Sequence, residues 1–161
     1  MKRYAETTTV PVSRSRGEID RLLREWGAIG IQWTDEFEID KVTLAFIWPR
    51  GEQRFQARFS VALPTREDLE PKARRAGTGS VLPAKLARLL ADRGKHEHRI
   101  LLLWLKAALN AIDAGIVDAE TIFLPFLVGR NGRTVAETAI PKLGMLLTGN
   151  ASLLLGGEVS Q

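Results

Sequence analysis

The sequence predicts an α+β fold: an N-terminal helix on a three-stranded antiparallel sheet, then a mainly helical C-terminal half with a short hairpin. Three observations lead there. Ile19, Leu22, Leu23 and Trp26 recur at i, i+3, i+4, i+7, one apolar face of a helix. "QRFQARFSVALP" (53–64) alternates, with Phe55, Ala57, Phe59 and Val61 on one parity and Arg54, Gln56, Arg58 and Ser60 on the other. That period of two marks a strand with one buried face. Residues 96–114 are apolar around most of a helical circumference, leaving a polar stripe of Arg99, Lys106, Asn110 and Asp113.

Taken in order, "TTTVPV" (7–12) reads as an extended arm or edge strand, being β-branched and proline-containing. "SRGE" (15–18) has the form of a capping box, with Ser15 and Glu18 exchanging bonds at the start of the first helix, and Gly27 ends that helix. "AIGIQW" (28–33), "KVTLAFIW" (41–48) and "QRFQARFSVAL" (53–63) read as three strands of a meander. The middle strand is apolar on both parities, as expected of one covered on both faces. "TDEFEID" (34–40) joins the first two strands, and "PRGE" (49–52) reverses the chain between the second and third.

Residues 64–82 read as a basic linker or loop, rich in charge, proline and glycine with little periodicity. A helix follows from Pro83 to Arg93, with Leu82, Leu86, Leu89 and Leu90 on its apolar side and Gly94 at its end. After the apolar helix of 96–114, Asp118 caps a short helix ending near Pro125. Asn131-Gly132 signals a hairpin within 128–135, and Thr134 with Glu137 forms a second capping box for a last helix, kinked or interrupted at Pro141. The tail "NASLLLGGEVSQ" has no clear partner. Together these make one domain over 1–161, divided into helix plus meander (1–63), linker (64–82) and helical part (83–161).

The composition excludes several classes of chemistry. With no cysteine there is no disulfide, thiol nucleophile or Cys-based metal site. The first residues lack an apolar core behind their charges, so no signal peptide is expected, and no run approaches the roughly 20 apolar residues of a membrane span. The expected setting is cytoplasmic. His96 and His98 in "KHEHR" stand two apart, on different sides of a helix, which argues for a solvated helix start over a metal pair. "GTGS" (77–80) lacks the spacing of a phosphate-binding loop, and the carboxylates of "DEFEID" sit in a turn with no basic partner nearby. No nucleophile motif is present, so no enzyme activity, cofactor or metal is expected.

What remains is a basic constellation. The formal charge is +4, but residues 71–99 hold Lys72, Arg74, Arg75, Lys85, Arg88, Arg93, Lys95 and Arg99 against only Asp92 and Glu97. Arg54 and Arg58 flank Gln56, about 13 Å apart at a strand's rise. With Lys72, Arg74 and Arg75 in the linker, and Lys85 and Arg88 on the next helix, they suggest a groove that follows phosphates. Aromatic support is thin, because Trp33, Trp48 and Trp104 read mostly as core.

"RYAETTTVPVSRSRGEIDRLLREWGA" (3–28), "RFSVALP" (58–64) and "LKAALNAIDAGIVDAETIFLPFLVGRNGRTVAE" (105–137) resemble a family of small phage- and prophage-encoded proteins of uncharacterised role. The shared features are an "RYAE-x-T-x-V" arm, an "SR-x-EI" helix start, a strand ending in Leu-Pro and a "GRTV" turn. "RFSVALP" departs from that family's doubled Leu-Pro, and residues 64–95 lie outside the likeness. The resemblance implies a small viral protein in the host cytoplasm and supplies no catalytic residue. The helix–meander–helix order also resembles the double-stranded-RNA-binding fold and the core of single-strand annealing proteins.

The expectation is therefore a nucleic-acid-binding protein, with single-stranded DNA in recombination or replication as the favoured ligand. Arg54, Gln56, Arg58, Lys72, Arg74, Arg75, Lys85 and Arg88 would form the contact surface. The alternative is a protein-interaction module that engages a host or defence protein or self-assembles, suggested by the apolar helix of 96–114 and the apolar tail "SLLLGG".

Overall fold

The computed structural model describes residues 8–76 and 81–148. The "GTGS" segment at 77–80, the RYAE arm and the tail "NASLLLGGEVSQ" fall outside the described residues.

Helix α1 spans Val12–Trp26, and its C-cap Gly27 adopts φ 114. There the Gly27 and Ala28 amides close back onto Leu23 and Arg24 carbonyls, a stop that only glycine enters without strain. The N-terminus differs from expectation. The helix begins three residues before Ser15, with Pro11 as N-cap, so Ser15 lies inside it, fully buried. The Ser15 hydroxyl has no hydrogen-bond partner among the described residues, and the expected capping box with Glu18 does not form. Glu18 instead turns outward to Arg14 and to two cations of another helix, described below.

Strands β1 (Gly30–Glu36), β2 (Lys41–Arg50) and β3 (Gln53–Ala62) form an antiparallel sheet in the order β1-β2-β3. Asp35 and Glu36 belong to β1, so the turn is Phe37–Asp40 alone, and the second reversal is only Gly51-Glu52. Along β2, Val42, Leu44, Phe46 and Trp48 are buried while Thr43, Ala45 and Ile47 are half-buried. This corrects the expectation of a strand covered on both faces. One face of the sheet packs on helices. The other, carrying Gln32, Thr34, Thr43, Arg54, Gln56, Arg58 and Ser60, is met by a described helix only at Arg58.

The expected linker or loop of 64–82 is corrected over its described residues, most of which are helical. Helix α2 (Arg66–Ala76) and helix α3 (Val81–Asp92) pack together over Leu69, Ala73, Leu86, Leu89 and Leu90. Thr65 starts α2 through a capping box with Asp68, whose carboxylate takes the Thr65 amide at 2.8 Å. The high charge and Pro71 hide this helix in the sequence, although Pro71 sits in it without ending it.

Helix α4 (Lys95–Asp113) lies beside α1 across the covered sheet face, burying Leu101, Leu102, Leu105, Ala108 and Leu109. The polar stripe read from the sequence faces α1 in part: Arg99 and Lys106 reach Glu18 at 3.3 and 3.8 Å. Burial pushes Glu18 up, but Arg14, Arg99 and Lys106 together hold it below the usual carboxylate range. The short helix α5 (Ala119–Ile122) and a 3-10 turn (Leu124–Phe126) then deliver Phe123 and Phe126 to the aromatic core. The hairpin at Asn131-Gly132 is a single bridge, Val128 to Thr134. The last helix, α6 (Val135–Thr148), runs through Pro141 without a break, which removes the interruption from the two expected outcomes there. No helix among the described residues is long and apolar enough to cross a membrane.

Candidate functional site

The residues predicted to meet phosphates do not converge. Arg54 and Gln56 are exposed on the open sheet face, near the β2–β3 turn. Lys72 lines a cavity of about 710 Å³ beside Ala62, Leu63 and Pro64. Arg54 and Ala62 stand at opposite ends of β3, about 26 Å apart at a strand's rise. Arg75 and Arg88 are exposed and Lys85 half-buried on the α2–α3 hairpin.

Ion pairs absorb much of the local basic excess. Arg74 pairs with Glu70, Arg93 with Asp40, Lys95 with Asp92 and Arg99 with Glu18. Arg58 is held too: it donates to the Gly132 carbonyl at 3.0 Å and to Glu137 at 2.7 Å. Glu137 also completes the Thr134 capping box, accepting the Thr134 amide at 2.8 Å while its own amide donates to Oγ1 of Thr134 at 3.1 Å. The Thr134 amide and the Arg58 guanidinium keep Glu137 below its ordinary pKa. Arg58 thus ties the start of α6 to the sheet. Replacing Thr134 with alanine removes the cap and is expected to cost about 1 kcal/mol in urea unfolding.

A polar cluster that sequence reasoning missed joins α1, β1 and α4. Arg16 donates through Nε to His98 Nε2 at 3.0 Å and through Nη1 to Asp35 at 2.9 Å. Its guanidinium carbon lies 4.8 Å from the Trp33 ring centroid, and Trp33 stacks on His98 at 5.7 Å. An arginine Nε–H can only donate, so His98 Nε2 is the acceptor and Nδ1 carries the ring proton. That proton goes to the Gly94 carbonyl, 2.6 Å away. Gly94 has φ 85, and a Cβ there would stand 3.1 Å from Leu63 and 3.4 Å from His98, so the site demands glycine.

His98 is only 2% exposed, against the expected solvated helix start. Burial holds its pKa below the ordinary value, despite Gly94, Asp35 and Glu97 acting the other way. Both ring nitrogens are occupied, which leaves no lone pair for a substrate proton. This cluster positions α1 against α4; it is not built as a general base. Among the described residues no group of three His, Asp or Glu is placed to hold a metal ion.

A third feature is apolar. Phe59, Val61, Ile100, Leu101, Trp104 and Phe126 line a groove of about 430 Å³ along the outer side of β3. Trp104 and Ile100 are 37% and 38% exposed, on a helix whose other apolar side chains fill the core. The Trp104 ring sits 5.2 Å from Phe59 and 5.5 Å from Phe126, so the indole is held in place rather than dangling.

The chain matches no family model, no curated protein and no solved structure.

The signal for the Trp104 groove was present in the sequence as the excess apolarity of α4. Its location was not, because Phe126 and β3 reach Trp104 only through the fold. The Arg16–His98 contact joins residues 82 positions apart, and no local pattern announces it.

Proposed function

We propose that the protein is a non-enzymatic interaction module that holds a polypeptide partner against Trp104. The observation that carries this reading is a partly exposed tryptophan, fixed by its neighbours, in an apolar groove. Tryptophan anchors in such settings dominate the energetics of protein interfaces. The engagement of Arg58, Arg74, Arg93, Lys95 and Arg99 in ion pairs supports it further, since those cations are already partnered. The likeness of the sequence motifs to phage-encoded proteins would put the module in the cytoplasm of an infected bacterium.

A photo-reactive benzoylphenylalanine in place of Trp104 tests this reading, with the same residue at Gln32 on the open sheet face as control. The expected result is a discrete, nuclease-resistant polypeptide adduct from position 104 and none from position 32. Absence of any polypeptide adduct at 104 would end this reading.

One observation favours a second reading, nucleic-acid binding on the open sheet face. That face presents Gln32, Thr34, Thr43, Gln56 and Ser60 around Arg54, which has no ion pair among the described residues. Titration with labelled oligo(dT) at two salt concentrations decides it, with an expected log–log slope of about −0.7 per neutralised phosphate. No binding at low salt removes it.

A further inference from the structure

We propose that the Trp104 groove takes an extended apolar segment of another protein as an added strand on the outer edge of β3, with a lysine or arginine of that segment meeting Glu97. The proposal rests on the interaction reading above and names the chemistry of the partner.

The argument begins with the ladder. In an antiparallel pair, successive residues direct their amide and carbonyl alternately toward and away from the neighbouring strand. Gln56 gives its carbonyl outward, to the Val128 amide at 2.8 Å. Leu63 gives its amide inward, to the Asp40 carbonyl at 2.7 Å. Both place the even-numbered residues of β3 on the outward set, so Ser60 and Ala62 present amides and carbonyls to the outer edge. Those groups have no backbone partner among the described residues, and β3 is an edge strand of the sheet.

The chain itself already uses this edge. Leu127 and Val128 lie antiparallel against Ala57 and Gln56, a two-residue strand that stops where the groove starts. A guest segment in line with it would pair with Ser60 and Ala62 and send alternate side chains between Phe59, Ile100, Trp104 and Phe126. A guest helix would fill the apolar space but leave the edge amides unpaired, which favours the strand.

Charge complementarity sets the rest. Glu97 lines the end of the groove together with His96. The nearest cations in sequence are engaged elsewhere, Lys95 with Asp92 and Arg99 with Glu18. Among the described residues Glu97 has no ion-pair partner. A guest lysine or arginine supplies the missing partner of Glu97.

The probe is a fluorescein-labelled peptide, acetyl-Lys-Val-Leu-Val-Leu-amide, read by anisotropy against the full chain. Saturable binding is expected. It should weaken about tenfold or more with Trp104→Ala, and comparably when alternate peptide amides are N-methylated. Glu97→Gln, or glutamate for lysine in the peptide, should each weaken it severalfold, whereas Arg54→Ala on the opposite sheet face should leave it unchanged. The methylated peptide is tested on the unaltered protein, so the answer does not depend on a variant folding.

No saturable binding up to millimolar peptide overturns the proposal, and so does equal binding of the methylated peptide. Light scattering that shows a dimer occupying the groove assigns it to a second copy and also overturns it. If the peptide fails while position 104 still forms a polypeptide adduct, the added strand falls and the interaction module stands. If both fail, both fall.

Discussion

Replacing Phe123 with alanine should cost about 3–5 kcal/mol, the usual range for truncating a fully buried phenylalanine. Phe123 is 0% exposed. Its ring lies 5.5 Å from Phe46, 5.6 Å from Trp48, 6.0 Å from Trp26, 6.0 Å from Trp104 and 6.2 Å from Phe59. It is therefore where α1, the sheet and α4 meet, and no single neighbour can move in to fill its place. Against a total stability of about 5–15 kcal/mol, such a loss leaves a marginal fold. Urea unfolding followed by far-UV circular dichroism measures it. A loss below about 1 kcal/mol would mean that the core closes over the gap, and that the aromatic packing described here is not what holds the layers together.

Lowering the pH from 7.5 to 5 should destabilise the protein through His98. The folded state holds this imidazole neutral and below its ordinary value of 6.5, chiefly by burial. The unfolded chain takes up a proton near that value and the folded chain does not. Its contribution is thus complete above about pH 6.5 and is lost as the pH falls toward the folded pKa, by up to about 1.4 kcal/mol per unit. A proton on Nε2 would also set two donors, His98 and Arg16, against each other.

The carboxylates act in a lower window. Asp35, held down by its bond from Arg16, contributes above its ordinary 3.8 and loses that contribution as the pH falls through its depressed folded pKa. Thermal melts at half-unit steps separate the two windows. His98→Gln should flatten the upper one while leaving the lower, and a melting temperature constant from pH 7.5 to 5 would falsify the assignment.

Local pattern made β3 legible almost residue by residue. Its alternation placed Phe55, Phe59 and Val61 inward and Arg54 and Arg58 outward, and the register with β2 agrees. The same method failed where the deciding partner lay far along the chain. Ser15 has the right residue three before Glu18, yet α1 needed to start earlier, and Glu18 answers to Arg99 and Lys106 instead. The basic excess of 71–99 was real as composition, but Asp40 and Glu18 come from outside that window to neutralise Arg93 and Arg99. Trp104 read as core from its helix, and the fold leaves it only partly covered because the sheet ends beside it.

The covered face of the sheet has a consequence in time. Strands β1 to β3 are complete once residue 62 has been made, with Leu44, Phe46, Trp48 and Phe59 on one side of them. The side chains that cover that face beyond α1 come from residues 101–126. At ribosomal speeds of about 5–20 residues per second, residues 63–126 take about 3–13 s to appear. For that interval the nascent sheet carries a band of aromatic surface with half its lid still unsynthesised. Raising the chaperone supply during synthesis is therefore expected to increase the folded yield of this protein.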